Sequence, residues 1–199
     1  VAEIDRYQKI INGTKQITDN YLPAVSTSAS WPVVKLGMVF KLASGKGLPA
    51  KNRFDGPYNV YGGNGITGKH SEYFVDSPTL TIGRVGEYCG VAHITSSKCW
   101  ITDNALMVTE YLTEVNPEYL EAIINQIDLN QYAKVGGQPS ISQSTVYNVP
   151  IPLPNIDVQN SIASQIRYEK SIIQQNKKLA EIFVQKITDI INNVWGITK

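Results

Sequence analysis

Residues 156–194 read IDVQNSIASQIRYEKSIIQQNKKLAEIFVQKITDIINNV and contain neither glycine nor proline. Within them apolar residues recur every seven positions in two registers, which is the a and d pattern of a coiled coil. At 1.5 Å per residue, such a helix would be about 58 Å long. We predict that its face toward another helix is formed by Ile162, Ile166, Ile173, Asn176, Ala180, Phe183, Ile187 and Ile190.

Polar residues interrupt this predicted face at two points. Glu169 and Asn176 fall at d positions, where polar groups cost stability but fix the register or the partner. The alternative is an amphipathic helix that lies on its own domain. A domain of about 125 residues is only roughly 30–40 Å across, which is shorter than the predicted helix and disfavours that alternative.

Residues 2–20 predict a second, shorter helix. Ile4 and Ile11 repeat at seven residues, as do Ile10 and Ile17, which indicates an apolar stripe. Pro23 and the serine-rich residues that follow are typical of a linker. Because this helix is too short to cover the C-terminal one, we expect the complementary helix to come from another chain or from sequence outside this one.

The segment between the two helices has the pattern of a domain built from short strands. Asn116 and Pro117 are typical of a helix start, and apolar residues follow at helical spacing up to Ile127. Runs rich in β-formers, each bounded by Gly, Pro, Asn or Asp, occur at 33–42, 79–82, 91–95, 105–109 and 146–151.

These patterns together predict an α+β fold. We expect a compact β-rich domain with a largely antiparallel sheet, followed by a long C-terminal α-helix that forms an antiparallel coiled coil. The expected boundaries are the end of a helix at 1–22, a linker at 23–30, the β-rich domain at 31–154 and the coiled-coil helix at 155–195.

The composition indicates a globular protein that works away from membranes. Of its 199 residues, 42% are hydrophobic and 18% are charged, which is too apolar for a disordered chain. No apolar run reaches the ~18 residues that span a bilayer, and the N-terminus lacks the pattern of a secretory signal. We therefore expect a cytoplasmic protein, and the first residue, Val1, leaves open that the chain is a fragment.

Charge is distributed unevenly along the chain although the net charge is only +1. Residues 35–53 contain five Lys or Arg residues and no acid, whereas residues 99–133 contain six acids and no Lys or Arg. Such a protein can present a basic face to phosphate groups, and the alternative is that both runs are ordinary solvated surface.

Motifs for catalysis are missing from the sequence. It has no GxSxG, HExxH or Walker sequence, and a nuclease-like set of Asp76, Glu87 and Lys69 does not suit strand spacing. With two histidines and no CxxC pair, no zinc site is expected. Cys89 and Cys99 are expected to be free thiols.

Glycine-rich turns with polar or aromatic residues occur at three places, 58–66, 82–90 and 136–142. Asn and Gln can pair bidentately with adenine and Arg with guanine, while Lys and Arg can hold phosphates. The alternative for each turn is an ordinary hairpin, as at Asn64-Gly65. Our candidates for contact with bases are Tyr61, Asn64, Arg84, Tyr88 and Gln138, and those for contact with phosphates are Lys46, Lys51, Arg53 and Lys69. Gly63 and Ser140 in the same turns are further candidates for contact with DNA.

These motifs follow one another in a recognisable order. YGGNGITG at 61–68 precedes TIGRVG at 81–86, WITD at 100–103, GQPSI at 137–141 and IPLP at 151–154, before Gln159 and the long helix. The ordered set closely resembles the target recognition domain and trailing conserved helix of specificity subunits from type I restriction–modification enzymes. YQKIING at 7–13 resembles the end of the central conserved helix in that family.

The resemblance implies a non-catalytic subunit that reads double-stranded DNA. Full-length members carry two recognition domains, each of which reads one half of a split site, separated by antiparallel helices. Those helices dock methyltransferase (modification) subunits and the restriction subunit, which bring S-adenosylmethionine, ATP and Mg²⁺. This chain is expected to bind no cofactor or metal itself. With one recognition domain, it would be a C-terminal half, or a half-length subunit that pairs with a second copy of itself.

Two further interpretations stay open from the sequence. The chain could be the recognition end of a fused restriction–methyltransferase polypeptide. It could instead be a coiled-coil scaffold with a protein-binding head, whose association would be insensitive to salt. DNA binding through ~6 phosphate contacts should lose roughly a thousandfold in affinity between 50 and 200 mM salt.

Overall fold

The computed structural model describes residues 2–134 and 136–195. The chain forms two compact units. One, the helical unit, contains the residues up to Pro23 and those from Ser164 onward. The other, the β-rich unit, contains residues Ala24–Ala163. The last helix contributes residues to both units.

The β-rich unit contains nine short strands and two helices among the described residues. The strands are β1 (Val33–Lys35), β2 (Phe40–Ser44), β3 (Tyr58–Gly62), β4 (Gly65–His70), β5 (Leu80–Gly83), β6 (Ala92–Ile94), β7 (Trp100–Ile101), β8 (Ala105–Tyr111) and β9 (Pro150–Pro152). The helices are α2 (Pro117–Ile127) and α3 (Gln143–Tyr147), while α1 (Ala2–Asp19) precedes the strands and α4 (Ile156–Trp195) follows them.

The strands form three sheets. The largest has the order β2-β8-β5-β6 and is antiparallel throughout. A second sheet has the order β4-β3-β7, in which β3 and β7 run parallel, and β1 pairs with β9 in a third. The predicted α+β class with a largely antiparallel sheet and a long C-terminal helix is confirmed.

The sequence-based strands at both ends of the β-rich unit were wrong in detail. Residues 33–42 are broken by a 3-10 turn at Leu36–Met38, where Gly37 lies so close to Tyr147 that a Cβ atom would be 2.9 Å from the Cβ of that residue. Residues 146–151 begin inside α3 instead of forming one strand. The side chain of Ser142 caps α3 by accepting from the amide of Thr145, which stabilises the helical turn over the strand.

Helix α2 begins at the predicted cap. The Asn116 side chain accepts hydrogen bonds from the amides of Glu118 and Tyr119 at 2.9 and 3.2 Å. At the other end of α2, the Asn125 side chain accepts from the amide of Ala92 and donates to its carbonyl. These two bonds satisfy the N–H and C=O groups of Ala92 on the outer edge of β6, so α2 closes that side of the large sheet.

The first turns of α4 belong to the β-rich unit and are anchored to α2. Gln159, which is almost fully buried, accepts from the amide of Asn116 at 2.9 Å and donates to the carbonyl of Pro154 at 2.8 Å. Tyr119 donates its hydroxyl to the carbonyl of Pro152 at 2.6 Å. The IPLP segment, which begins in β9 and ends just before α4, is thereby fixed against α2.

In the helical unit, α1 runs antiparallel to α4. The Tyr7 ring stacks on Phe183 with centroids 5.1 Å apart, and Tyr21, just after α1, donates to the Glu169 carboxylate at 2.5 Å. Between these two contacts, the Nζ atom of Lys177 lies 3.5 Å from Oδ1 of Asp19. The expectation that α4 finds its partner only outside this chain is therefore wrong for residues 169–183, because α1 covers them.

The face of α4 that was predicted to meet another helix is shielded from solvent. Between residues 167 and 191, only the heptad a and d positions are buried or half-buried, and every other position is exposed. On α1 the matching face contains Ile4, Tyr7, Ile11, Thr14 and Thr18. Ile10 and Ile17, which the sequence placed in the same stripe, are exposed.

Two expectations concern features outside the sheets. Within residues 2–134 and 136–195, no helix is both long and apolar enough to span a membrane. Cys89 and Cys99 are free and buried, and their burial raises the pKa of both thiols.

Candidate nucleic-acid interface

Segments that are far apart in sequence meet at one edge of the β-rich unit. The amide of Arg84, just after β5, donates to the carbonyl of Asn104, just before β8, at 2.9 Å. The amide of Ile141 donates to the carbonyl of Arg84, and the amide of Gly86 donates to the carbonyl of Pro139, both at 2.9 Å. We call this region the loop edge: residues 63–64, 84–90, 102–104 and 136–144, with Ser44.

The β3–β4 turn reaches the loop edge through a contact between two glycines. A Cβ atom on Gly83 would lie 2.3 Å from the carbonyl oxygen of Gly63 and 2.4 Å from that of Tyr88. Any side chain at position 83 would therefore push the first and second glycine-rich segments apart. Gly63 itself is half-buried and packs against the carbonyl groups of Val85 and Asn104.

Arg84 presents its guanidinium on the surface of the loop edge. Its Nη1 atom donates to the hydroxyl of Ser44 at 3.4 Å, a long and therefore weak bond. The side chain borders a shallow cleft of about 380 Å³ that is also lined by Ser44, Leu106, Ser142, Gln143 and Ser144. An exposed guanidinium beside three hydroxyls and an amide can read base edges or hold a phosphate.

The other predicted base-contacting residues differ in exposure. Asn64, Tyr88 and Gln138 are exposed at the loop edge. Ser140 is half-buried, and its backbone pairs with Val85 and with Lys134. The loop edge thus offers an amide from the first glycine-rich segment, a guanidinium and a phenol from the second and an amide from the third.

Tyr61 is a correction to the sequence-based set. It is 5% exposed, packs in the core with Cys99, Ile101 and Ala105, and its hydroxyl accepts from the amide of Ser96 at 2.8 Å. The neighbouring Val60 is also buried, so both faces of β3 are covered at this point and the Tyr61 ring has no exposed side. A buried and hydrogen-bonded phenol is not placed to contact a base.

The four predicted phosphate contacts lie around a different part of the β-rich unit. Lys46, Lys51 and Lys69 are exposed. The Lys46 ammonium lies over the Phe74 ring, 4.3 Å from its centroid. The Arg53 guanidinium donates to the carbonyl of Thr67 on β4 at 3.3 Å. Arg53 and Lys69 thus lie by β4, whereas Lys46 lies by β7 at the other edge of the same sheet.

Sequence reasoning missed several polar residues at the loop edge. Ser44, Asn104, Ser142, Gln143 and Ser144 come from three separate segments and meet only in the folded chain. The cap signal at Ser142 was available, since serine is a favoured N-cap residue. Nothing local marks Ser44, whose place depends on the pairing of β2 with β8.

Across the described residues, no group of three or more His, Cys, Asp or Glu side chains could hold a metal ion.

Comparison with known proteins identifies the family. A family model described as type I restriction modification DNA specificity domain matches residues 29–183. The chain belongs to this family. It is 28% identical over 134 residues to the specificity subunit of the type I restriction enzyme EcoprrI from Escherichia coli, a match that covers 65% of this chain and 33% of that protein.

Solved structures of type I systems share the fold. The S subunit of a type I restriction-modification system from M. genitalium superposes with a TM-score of 0.68 at 16% identity, covering 94% of this chain and 55% of that one. A second chain, from a study of complex assembly and conformational transition of the type I system, has a TM-score of 0.63 at 14% identity, covering 94% and 51%. This specificity-domain chain spans about half the length of those structures and a third of the curated relative.

Proposed function

We propose that this chain reads one half of a bipartite sequence in double-stranded DNA through its loop edge. The observation that carries the proposal is the convergence of the three glycine-rich segments in a chain of the type I specificity family: backbone hydrogen bonds at Arg84, Gly86 and Ile141 join the second to the third, and the first packs through Gly63 against Gly83. Backbone bonds between segments hold the exposed side chains in fixed relative positions, which sequence-specific readout requires.

The chemistry of the exposed side chains suits base edges in the major groove. Arg84 can donate bidentately to O6 and N7 of guanine, and the Asn64 and Gln138 amides can pair with N6 and N7 of adenine. Lys46, Lys51, Arg53 and Lys69 would hold phosphates and set the orientation of the duplex without reading its sequence.

The helical unit is proposed to dock the methyltransferase subunits. Ile10 and Ile17 on α1 and Ile172 and Leu179 on α4 are exposed apolar residues, and each directly precedes an a position of its heptad. In an antiparallel pair these positions of both helices lie on the same side, so the four side chains form one apolar flank. We call these four residues the apolar flank; a helix of a partner subunit would cover it.

In this proposal the chain supplies specificity and other subunits supply catalysis. Methylation and cleavage would take place on modification and restriction subunits that hold S-adenosylmethionine, ATP and Mg²⁺. A second copy of the chain, or a second recognition domain, would read the other half of the site, as two-fold symmetry requires.

The experiment is co-expression of the chain with the methyltransferase subunit of its own system, followed by sequencing of methylated sites in genomic DNA. We expect a reproducible split motif that disappears when the chain is omitted. If the methyltransferase subunit methylates the same sites when this chain is absent, the proposal is contradicted. So would a chain that shows no salt-dependent affinity for duplex DNA.

A further inference from the structure

A second cleft in the β-rich unit, of about 260 Å³, has three aromatic rings in its lining. They belong to Phe54, His70 and Trp100, and the rest of the lining is Gly47, Leu48, Asn52 and Glu72. None of these residues belongs to the loop edge. We call it the aromatic cleft.

Phe54 is held in place although its side chain is exposed. Its amide donates to Nδ1 of His70 at 3.2 Å, and its carbonyl lies 3.3 Å from the same nitrogen. The buried His70 ring is nearly parallel to the Phe54 ring, with an interplanar angle of 22°. Yet 63% of Phe54 is exposed, so a large apolar ring is presented to solvent from a fixed backbone.

Trp100 forms a second wall that is equally constrained. Its indole N–H donates to the carbonyl of Lys46 at 3.0 Å, and its ring meets the rings of His70 and Phe74 edge-on, at 5.3 and 5.1 Å. The walls of the cleft are therefore preorganised, and binding a planar ligand would cost little ordering of side chains.

Basic residues are next to the lining residues in the chain. Lys46 precedes Gly47 in the lining, Lys51 and Arg53 flank Asn52, and Lys69 precedes His70. All four residues that the sequence marked for phosphate contacts are thus chain neighbours of residues lining the cleft. A nucleic-acid backbone held by these cations would pass directly beside the aromatic rings.

The polar groups inside the cleft suit a base better than a phosphate. The Glu72 carboxylate, with Asp55 next to Phe54 in the chain, disfavours an anion but can accept a hydrogen bond from an exocyclic amine. The Asn52 amide offers both a donor and an acceptor. Stacking on an aromatic face and hydrogen bonding at the base edge are the two interactions by which proteins bind unstacked bases.

We propose that the aromatic cleft binds one unstacked nucleobase of the DNA that this chain contacts, with the base stacked on Phe54 and its edge toward Asn52 and Glu72. This inference rests on the proposed function, because the base is delivered by bound DNA. It adds a contact away from the loop edge, at which the chain would recognise a distorted or unpaired position.

The test measures binding of the full chain to duplexes that carry one bulged nucleotide, with each of the four bases in turn. The matched probe is the same duplex with an abasic bulge, which keeps the number of phosphates and removes the base. A bulged base is the sensitive probe because it is already unpaired, so little energy is spent on unstacking it. We expect tighter binding of the bulged base by about 5- to 150-fold, the range that one base stacked on an aromatic ring contributes.

Phe54→Ala and Phe54→Leu should both remove this preference, because an aliphatic side chain has no stacking face. Tyr168→Ala is the matched control, since that aromatic ring has similar exposure (68%) but lies on α4 in the helical unit. In a variant with Trp31 and Trp195 replaced by Phe, the bulged base should quench the emission of Trp100 and the abasic bulge should not.

Three other outcomes overturn the inference. If both bulged duplexes bind equally and the paired duplex shows normal salt-dependent binding, the aromatic cleft does not bind a base, and the proposed function is unaffected. No binding of any duplex refutes both. If Phe54→Ala leaves DNA binding intact but weakens association with the methyltransferase subunit, the cleft holds a protein side chain instead.

Discussion

The amide nitrogen of Ile141 donates a hydrogen bond to the carbonyl oxygen of Arg84 at 2.9 Å. This bond joins the third glycine-rich segment to the second, directly at the residue with the exposed guanidinium. The position of Arg84 therefore depends on residues more than fifty positions later in the chain. Four other features are open to direct test in the same way: the exposed Lys51 and Lys69, the packing of Gly83, the Tyr21–Glu169 hydrogen bond and the apolar flank.

Arg84 should determine one position of the recognised sequence. Arg84→Lys keeps the charge but loses the planar pair of donors, so we expect discrimination at one base pair to fall by about 1–3 kcal/mol. Sequencing of methylated sites should show a motif relaxed at that position in one half only. Arg6→Ala, which removes an exposed arginine of α1, should leave the motif unchanged. An unchanged motif in Arg84→Ala would show that this side chain does not read a base.

Lys51 and Lys69 should contribute to affinity without contributing to specificity. Each replacement by Ala should weaken binding of all duplexes alike and reduce the slope of log affinity against log salt by about 0.9, the effect of one phosphate contact. The measurement is fluorescence anisotropy at several salt concentrations. Lys178→Ala, at an exposed position of α4, serves as the control and should leave the slope as it was.

Gly83→Ala should disrupt the loop edge from within. The added methyl group would lie 2.3 and 2.4 Å from two carbonyl oxygens, so the backbone must shift at a cost of roughly 1–3 kcal/mol in unfolding free energy. Gly13→Ala is the matched control, because a Cβ there meets nothing within 4 Å and alanine favours the helix by about 0.5–1 kcal/mol. In urea titrations the unfolding free energy should therefore fall in Gly83→Ala and rise in Gly13→Ala. Equal stability of the two variants would refute the close contact.

The Tyr21–Glu169 pair should make the stability of the helical unit depend on pH. The hydrogen bond from Tyr21, with a second from Gln165, lowers the pKa of the Glu169 carboxyl. A pKa that is lowered by folding adds stability above the unfolded pKa, and this stability is lost as pH falls through the folded pKa.

Tyr21→Phe should therefore reduce the loss of helical stability between about pH 6 and pH 3. Because Glu169 is only half-buried, we expect an effect of no more than about 1 kcal/mol. Circular dichroism during urea unfolding at both pH values measures it. Tyr168→Phe, which changes an exposed phenol one residue from Glu169, should keep the full pH dependence, and the same behaviour in Tyr21→Phe would contradict the assignment.

The apolar flank should be needed for association but not for folding. Ile17→Ser combined with Leu179→Ser exposes less apolar surface and leaves the a and d positions intact, so helix content should be unchanged. Co-purification with the methyltransferase subunit should be weakened at least tenfold. Met38→Ser, at an equally exposed apolar residue of the β-rich unit, should have no effect. Undiminished association of the double variant would place the docking surface elsewhere.

The candidate site was predictable in its residue types but not in its arrangement. Arg84, Asn64 and Gln138 could be selected from the sequence because their chemistry suits base edges and glycines surround them. Tyr61 was selected by the same criteria and is buried, since the sequence does not show that both faces of β3 are covered at this point. Phe54 gave no signal at all, because its place in the loop before β3 depends on a backbone hydrogen bond to the side chain of His70 on β4.

Features that depend on neighbours in the chain were determined by the sequence alone. The heptad spacing marked the shielded face of α4, and Asn116 with Pro117 marked the start of α2, because capping and helical periodicity act over a few residues. The tertiary structure alone decided that α1 covers residues 169–183, that β3 and β7 run parallel, and that the glycine-rich segments meet around Arg84. Those arrangements depend on burial and on backbone hydrogen bonds between segments far apart in sequence, for which no local pattern carries a signal.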